Sequence, residues 1–178
     1  MSNIVYIACS LDGYIADKNG GLDWLYSIPN PDKSDFGYSE FISRIDAIVM
    51  GRNTFETVCS FDCDWPYSKP VFVLSNSLSS VPEEYKGKVE LINGPLPDVV
   101  KSINKKGYKE LYIDGGATIR NFLQEDLIDE LIVTTIPILL GGGSPLFGKL
   151  LTPLSFDHIK TEVLLDAIVQ SNYRVKKI

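Results

Sequence analysis

Short apolar runs alternate along the chain with segments whose apolar residues recur at helical spacing. Residues 4–9, 47–50, 71–74, 89–92, 111–113 and 131–136 are near-continuous apolar stretches. Such runs predict strands covered on both faces. Between them, residues 38–45 place Phe41, Ile42 and Ile45 on one helical face, and residues 97–104 do the same with Val99, Val100 and Ile103. Pro97 suits a first helical turn. Residues 117–127 set Ile119, Phe122, Leu123 and Leu127 at helical spacing. Strand and helix in alternation predict an α/β fold of three layers, a mostly parallel sheet with helices on both faces and right-handed crossovers. After residue 130 the rhythm changes. Residues 131–140, 158–165 and 167–176 read as strands with no helix between them, which predicts an antiparallel carboxyl-terminal edge. No repeat or linker divides the chain, so residues 1–178 are expected to form one domain.

With 178 residues, 44% hydrophobic and 22% charged, the chain has the composition of a globular protein with a real core. Its net charge of −6 offers no basic field for nucleic acid. No apolar run is long enough to cross a membrane as a helix. The amino terminus lacks a basic region before its apolar stretch and reads as a strand, not a signal peptide. Cys9, Cys59 and Cys63 make an odd count, which fits reduced thiols and a cytoplasmic location. Cys59 and Cys63 lack a second cysteine pair, and the single histidine, His158, is far off in sequence, so no metal site is expected.

In a parallel sheet, ligands bind where the carboxyl ends of strands run into helix amino termini. Three junctions of that kind stand out. At Met50-Gly51-Arg52-Asn53-Thr54, a strand end, a glycine and an arginine at a helix start suit a phosphate. The run Leu74-Ser75-Asn76 ends a strand in small polar residues able to bond a ribose or phosphate. At Asp114-Gly115-Gly116-Ala117-Thr118, a glycine pair opens an amphipathic helix and allows close approach of a pyrophosphate. Each has a plain alternative as an ordinary turn, but three on successive strands agree. Residues 143–149 imitate a phosphate-binding P-loop, yet Leu150 stands where Ser or Thr must hold magnesium. That segment reads as a glycine-rich turn. Near the amino terminus, Ser10 to Ala16 forms a strand end and turn. The glycine-bearing loop that follows, closed by Trp24, reads as a flap or as a loop anchored by that tryptophan.

Taken in order, these segments resemble the dihydrofolate reductase superfamily, and within it the reductase domain of bacterial riboflavin biosynthesis. The carriers are Ser10 to Ala16, Met50 to Glu56, Leu74 to Asn76, Asp114 to Thr118, Ile128 to Leu131, Pro137 to Gly143 and Pro145 to Phe147. The last three look more like the riboflavin-type enzymes than the folate enzymes. The resemblance implies NADPH as cofactor. Ala8 and Ile15 would hold the nicotinamide carboxamide through their backbones. Gly51, Arg52 and Thr54 would bind the adenosine side and pyrophosphate, with Leu74, Ser75 and Asn76 about the ribose phosphate. Asp114, Gly115, Gly116, Ala117 and Thr118 would cradle the pyrophosphate, in a loop where the family holds a strained cis peptide. Trp24 would lie beside the nicotinamide or substrate. An ungapped alignment sets Asp35 at the catalytic carboxylate of the folate enzymes, while aligning on Phe41 puts Gly37 there. Where folate enzymes grip the glutamate tail with arginine, the chain offers Lys69, which has no bidentate fork.

The implied activity is hydride transfer from NADPH to a C=N or aldehyde-equivalent carbon of a pterin-like or ribosylaminopyrimidine-like small molecule. Asp35 or an ordered water would be the proton source, with Asp12 a weaker candidate that reads first as a turn-forming residue. The alternative is a non-catalytic NADP(H)-binding protein that kept the cradle. A homodimer through the carboxyl-terminal third is also expected, the alternative being that the strands after residue 158 cover this surface within one subunit. Residues 131–140 are almost wholly apolar, Pro137 disfavours a central strand, and Leu146 and Phe147 add apolar surface.

Overall fold

The computed structural model describes residues 1–61 and 63–176. Its core is a sheet of eight strands, joined by a small two-stranded sheet near the amino-terminal turn. In chain order the elements are β1 (Ser2–Ser10), β2 (Tyr14–Ala16), α1 (Tyr38–Ser43), β3 (Ala47–Gly51), α2 (Arg52–Cys59), β4 (Val71–Leu74), β5 (Val89–Ile92) and α3 (Leu96–Lys105). They continue with β6 (Glu110–Asp114), α4 (Gly116–Gln124), β7 (Glu130–Ile136), β8 (Ser144–Pro145), β9 (Phe156–Leu164) and β10 (Ile168–Val175). The main sheet runs β5-β4-β3-β6-β1-β7-β10-β9. β1 pairs in parallel with both β6 and β7, and β10 then pairs antiparallel with β7 and β9. The three-layer architecture and the antiparallel edge therefore stand as expected.

The near-continuous apolar runs have a simple cause. Successive residues of a strand point to opposite faces, so a strand covered on both sides must be apolar at every position. On one face Val5, Val49, Phe72, Leu111 and Ile113 pack against Val99 and Ile103 of α3 and Ile119, Phe122 and Leu123 of α4. On the other, Ile4, Ile48, Met50, Val71 and Tyr112 pack against Phe41 of α1 and Phe55 of α2. Neighbouring residues in one strand, such as Ile4 and Val5, thus serve different cores.

Three expectations about the carboxyl-terminal third need correction. The strand predicted over 131–140 ends at Ile136, because Pro137 has no N–H with which to extend the ladder. Nor is it an edge. β7 lies between β1 and β10, and the true edge is β9. Leu146, expected on the surface, is fully buried in the core shared with α4. Among the described residues no helix is long and apolar enough to cross a membrane.

Candidate active site

A cleft of about 1030 Å³ opens along the carboxyl ends of β1, β3, β4, β5 and β6. Its position follows from topology. The chain runs outward from β3 to β5 and then returns to insert β6 between β3 and β1, so the helices after β3 and β6 start side by side. A crevice at such a turning point is where open α/β sheets take ligands.

One half of the cleft is built from helix starts. Neither α2 nor α4 has a side chain capping its first turn; Gly51 and Gly115 precede them. Their first N–H groups are left for another acceptor, and both helix dipoles favour an anion there. The two starts interlock tightly. A Cβ on Gly51 would lie 2.9 Å from the Thr118 hydroxyl, one on Gly115 would strike the Thr54 side chain, and one on Gly116 would strike Ile15. Gly115 also takes φ 89°, which a side chain would strain. Peptide bonds among the described residues are all trans, so the cis peptide implied by the resemblance is not present. Arg52 reaches the turn after β4. Its Nη1 donates to Ser77 Oγ at 2.9 Å and its Nε lies 3.7 Å from Glu56. Ser75 Oγ accepts from the N–H groups of Ser77 and Leu78, which fixes the turn. Arg120, one helical turn beyond Gly116, donates to the Pro145 carbonyl and also lines the cleft.

The other half is aromatic. Tyr6, Tyr38, Tyr67 and Tyr112 line it with Leu22 and Leu25. Tyr6 and Tyr38 meet edge-on with ring centroids 5.7 Å apart. Tyr6 donates to the Phe36 carbonyl at 2.8 Å, and the Tyr112 hydroxyl lies 3.1 Å from the Tyr6 carbonyl oxygen. Asp114 closes this half at the end of β6. Its Oδ1 accepts the Gly115 N–H at 2.8 Å, while Oδ2 is 3.5 Å from the Tyr67 hydroxyl. The dense packing around this carboxyl raises its pKa above the usual carboxylate range, outweighing the Gly115 N–H and the Tyr112 and Tyr67 hydroxyls. What surface it keeps lies in the cleft. Burial, followed by the Asp114 charge, pushes Tyr38 up to about 12.

Ala8, Ile15, Gly51, Arg52, Thr54, Leu74, Ser75, Asn76, Asp114, Gly115, Gly116, Ala117 and Thr118 all line this one cleft. The two residues named for catalysis do not. Asp35 is exposed and its two oxygens accept the N–H groups of Gly37 and Ser39, at 3.0 and 2.9 Å, where α1 begins. Bonds from the Ser39 side chain and N–H and the Gly37 N–H hold its pKa below the usual value. An ionised, exposed helix-start carboxylate is no proton donor, so Asp35 is corrected to a structural role. Trp24 is buried, 7% exposed, against Ile136 and Ile168. It anchors the loop whose Gly20, Leu22 and Leu25 line the cleft, so the flap is corrected to a pinned segment. At the base of that segment Asp17 Oδ1 accepts the N–H groups of Asn19 and Gly21. Asp12 is the turn residue expected, accepting from Ser10 and from the N–H groups of Leu140 and Gly141. In the P-loop imitation, Ser144 and Pro145 pair with β2 as β8. Sequence reasoning missed Asn93 and Gly94 at the end of β5, although the same junction rule would have found them. It also missed Arg120 and the tyrosine wall.

The model of the RibD C-terminal domain matches residues 3–169. The chain belongs to that family. It is 38% identical to the uncharacterized Bacillus subtilis protein YwjB, over 83% of each chain. A putative riboflavin biosynthesis protein from Shewanella superposes with a TM-score of 0.97 at 60% identity, covering 99% of this chain and 100% of that one. A dihydrofolate reductase from Enterococcus faecalis, complexed with NADP(H), superposes with a TM-score of 0.68 at 17% identity, over 99% of this chain and 97% of that one. The fold of this RibD-type domain is therefore that of the dihydrofolate reductases.

Proposed function

We propose that this RibD-type domain is a cytoplasmic, NADPH-dependent reductase acting on a pterin-like or ribosylaminopyrimidine-like heterocycle. One observation carries the reading. A double helix-start cradle and a half-buried carboxyl, Asp114, ringed by tyrosines, share a single cleft at the ends of adjoining strands. The cradle fits a dinucleotide. The glycines at 51, 115 and 116 leave no space for a Cβ, and two uncapped helix starts can meet two phosphates. Arg52, with Ser75, Asn76 and Ser77 beside it, suits the 2′-phosphate that separates NADPH from NADH.

When bound, NADPH supplies hydride to the electrophilic carbon of the substrate. The chain's residues do the rest. The tyrosine wall holds a flat ring and excludes water, and Asp114 hands its proton to the ring nitrogen that gains the electron pair of the C=N bond. The product thus carries one hydride and one proton more than the substrate, and Asp114 is left ionised until it takes a proton from solvent. Loss of absorbance at 340 nm with NADPH and 6-methyl-7,8-dihydropterin or a ribosylaminopyrimidine tests this. NADPH binding without turnover on any such compound would leave a cofactor-binding protein instead.

We also propose that the domain is a homodimer through its carboxyl-terminal third, by a surface different from the one the sequence indicated. Val163 pairs with Val169 across the β9–β10 hairpin, so their side chains share a face. Both are exposed, as is Ile159 on the same strand. An apolar face on an edge hairpin is a surface that a second copy can cover.

A further inference from the structure

We infer that the substrate carries no phosphate or carboxylate tail, being a neutral, flat nitrogen heterocycle; this rests on the reductase reading. The charges of the cleft are divided unequally. Among the described lining residues the charged ones are Arg52, Arg120 and Asp114. Both arginines rise from the helices that form the cofactor cradle; Arg52 faces the site proposed for the 2′-phosphate, and Arg120 donates to the Pro145 carbonyl. The substrate half offers an anion nothing but hydroxyls and the carboxyl of Asp114.

Its surroundings add to this. Asp35, outside the cleft, sets a negative charge near Tyr6. Lys69, the residue nearest in sequence to a tail-binding cation, precedes β4 and stands by Asp46, ahead of β3. That is the amino-terminal end of the strands, opposite the cleft. A phosphoribosyl or glutamyl tail would thus find no cation among the described lining residues outside the cofactor cradle, in a chain of net charge −6. What the half-site can recognise is donors and flat faces. The Asp114 carboxyl, beside the Tyr67 and Tyr112 hydroxyls, has lone pairs enough to accept a further ring N–H or amino group. The tyrosine wall favours a flat ring.

Two pairs of compounds test this, each pair sharing a ring and differing in the tail. They are 6-methyl-7,8-dihydropterin with 7,8-dihydrofolate, and 5-amino-6-ribosylaminouracil with its 5′-phosphate. Calorimetry on the NADP⁺-saturated protein is expected to show the uncharged member of a pair binding about tenfold more tightly. Equal or tighter binding of the anionic members would overturn the inference, as would failure to bind either uncharged compound. Turnover is read separately at 340 nm. Tight binding of the uncharged members with no NADPH oxidation would refute the reductase reading while leaving the ligand class standing.

Discussion

At the scale of single residues, the account turns on Arg52 and Asp114. Removing the guanidinium with Arg52→Ala should weaken NADPH by about tenfold to a hundredfold, the worth of one charge-assisted contact to phosphate, and leave NADH nearly unchanged. Fluorescence titration with both cofactors checks this, and equal losses for the two would mean that Arg52 does not read the 2′-phosphate. Asp114 makes a prediction in pH. The raised pKa keeps its proton to higher pH than an ordinary aspartate, so turnover should fall as pH climbs through that value. Asp114→Asn should remove this limb and slow turnover by about a hundredfold or more. Stability follows the same direction in pH. A carboxyl whose folded pKa is raised stabilises the fold at acid pH, and that contribution is lost as pH rises through the folded value. Asp114→Asn should therefore raise Tm at neutral pH, with the gain fading below the ordinary carboxylate range. A neutral-pH Tm below that of the wild type would contradict the burial argument. The sequence showed Asp114 only as the residue before a glycine pair. The acid role proposed for it depends on being packed among Tyr38, Tyr67 and Tyr112, which no linear spacing displays. Asp35 was misplaced for a related reason. The segment before α1 turns through positive φ at Lys33 and Phe36, so an alignment that counts residues cannot follow its path.

At the scale of elements, the parallel strands and α1, α3 and α4 were legible because burial on both faces leaves an unmistakable apolar run, and because amphipathic helices keep their period. The cofactor half of the cleft was legible for the same reason. It consists of strand ends, and the rule that ligands gather there needs no coordinates. The substrate half was not, since Tyr6 and Tyr112 sit inside strand runs and look like core residues until β6 is known to lie beside β1. Likewise, β7 read as an edge strand because Pro137 was taken as part of it, when it is the residue that ends it. The β6–α4 junction can be tested as a unit. Gly115→Ala places a methyl group against Thr54 at φ 89°. It should cost about 1–3 kcal/mol of stability and weaken NADPH and NADH together, unlike Arg52→Ala. Denaturant unfolding and the same titrations distinguish the two variants; full retention of affinity for both cofactors would show that the junction does not cradle the shared pyrophosphate.

For the whole molecule, the strand order joins assembly and chemistry while keeping them apart. The cleft lies at β1, β6 and β3, and the exposed hairpin lies three strands away at the sheet edge. Sedimentation velocity at micromolar concentration should show a dimer, and Val163→Lys should convert it to a monomer without loss of NADPH binding. A monomer in the wild-type protein would refute the assembly and leave the reductase reading untouched. That reading is tested most directly by the fate of the transferred hydrogen. With NADPH deuterated at the transferable position of C4 and 6-methyl-7,8-dihydropterin as substrate, mass spectrometry should find deuterium bonded to carbon in the reduced product. Recovery of unlabelled product, or of unreacted pterin from protein saturated with both ligands, would contradict it.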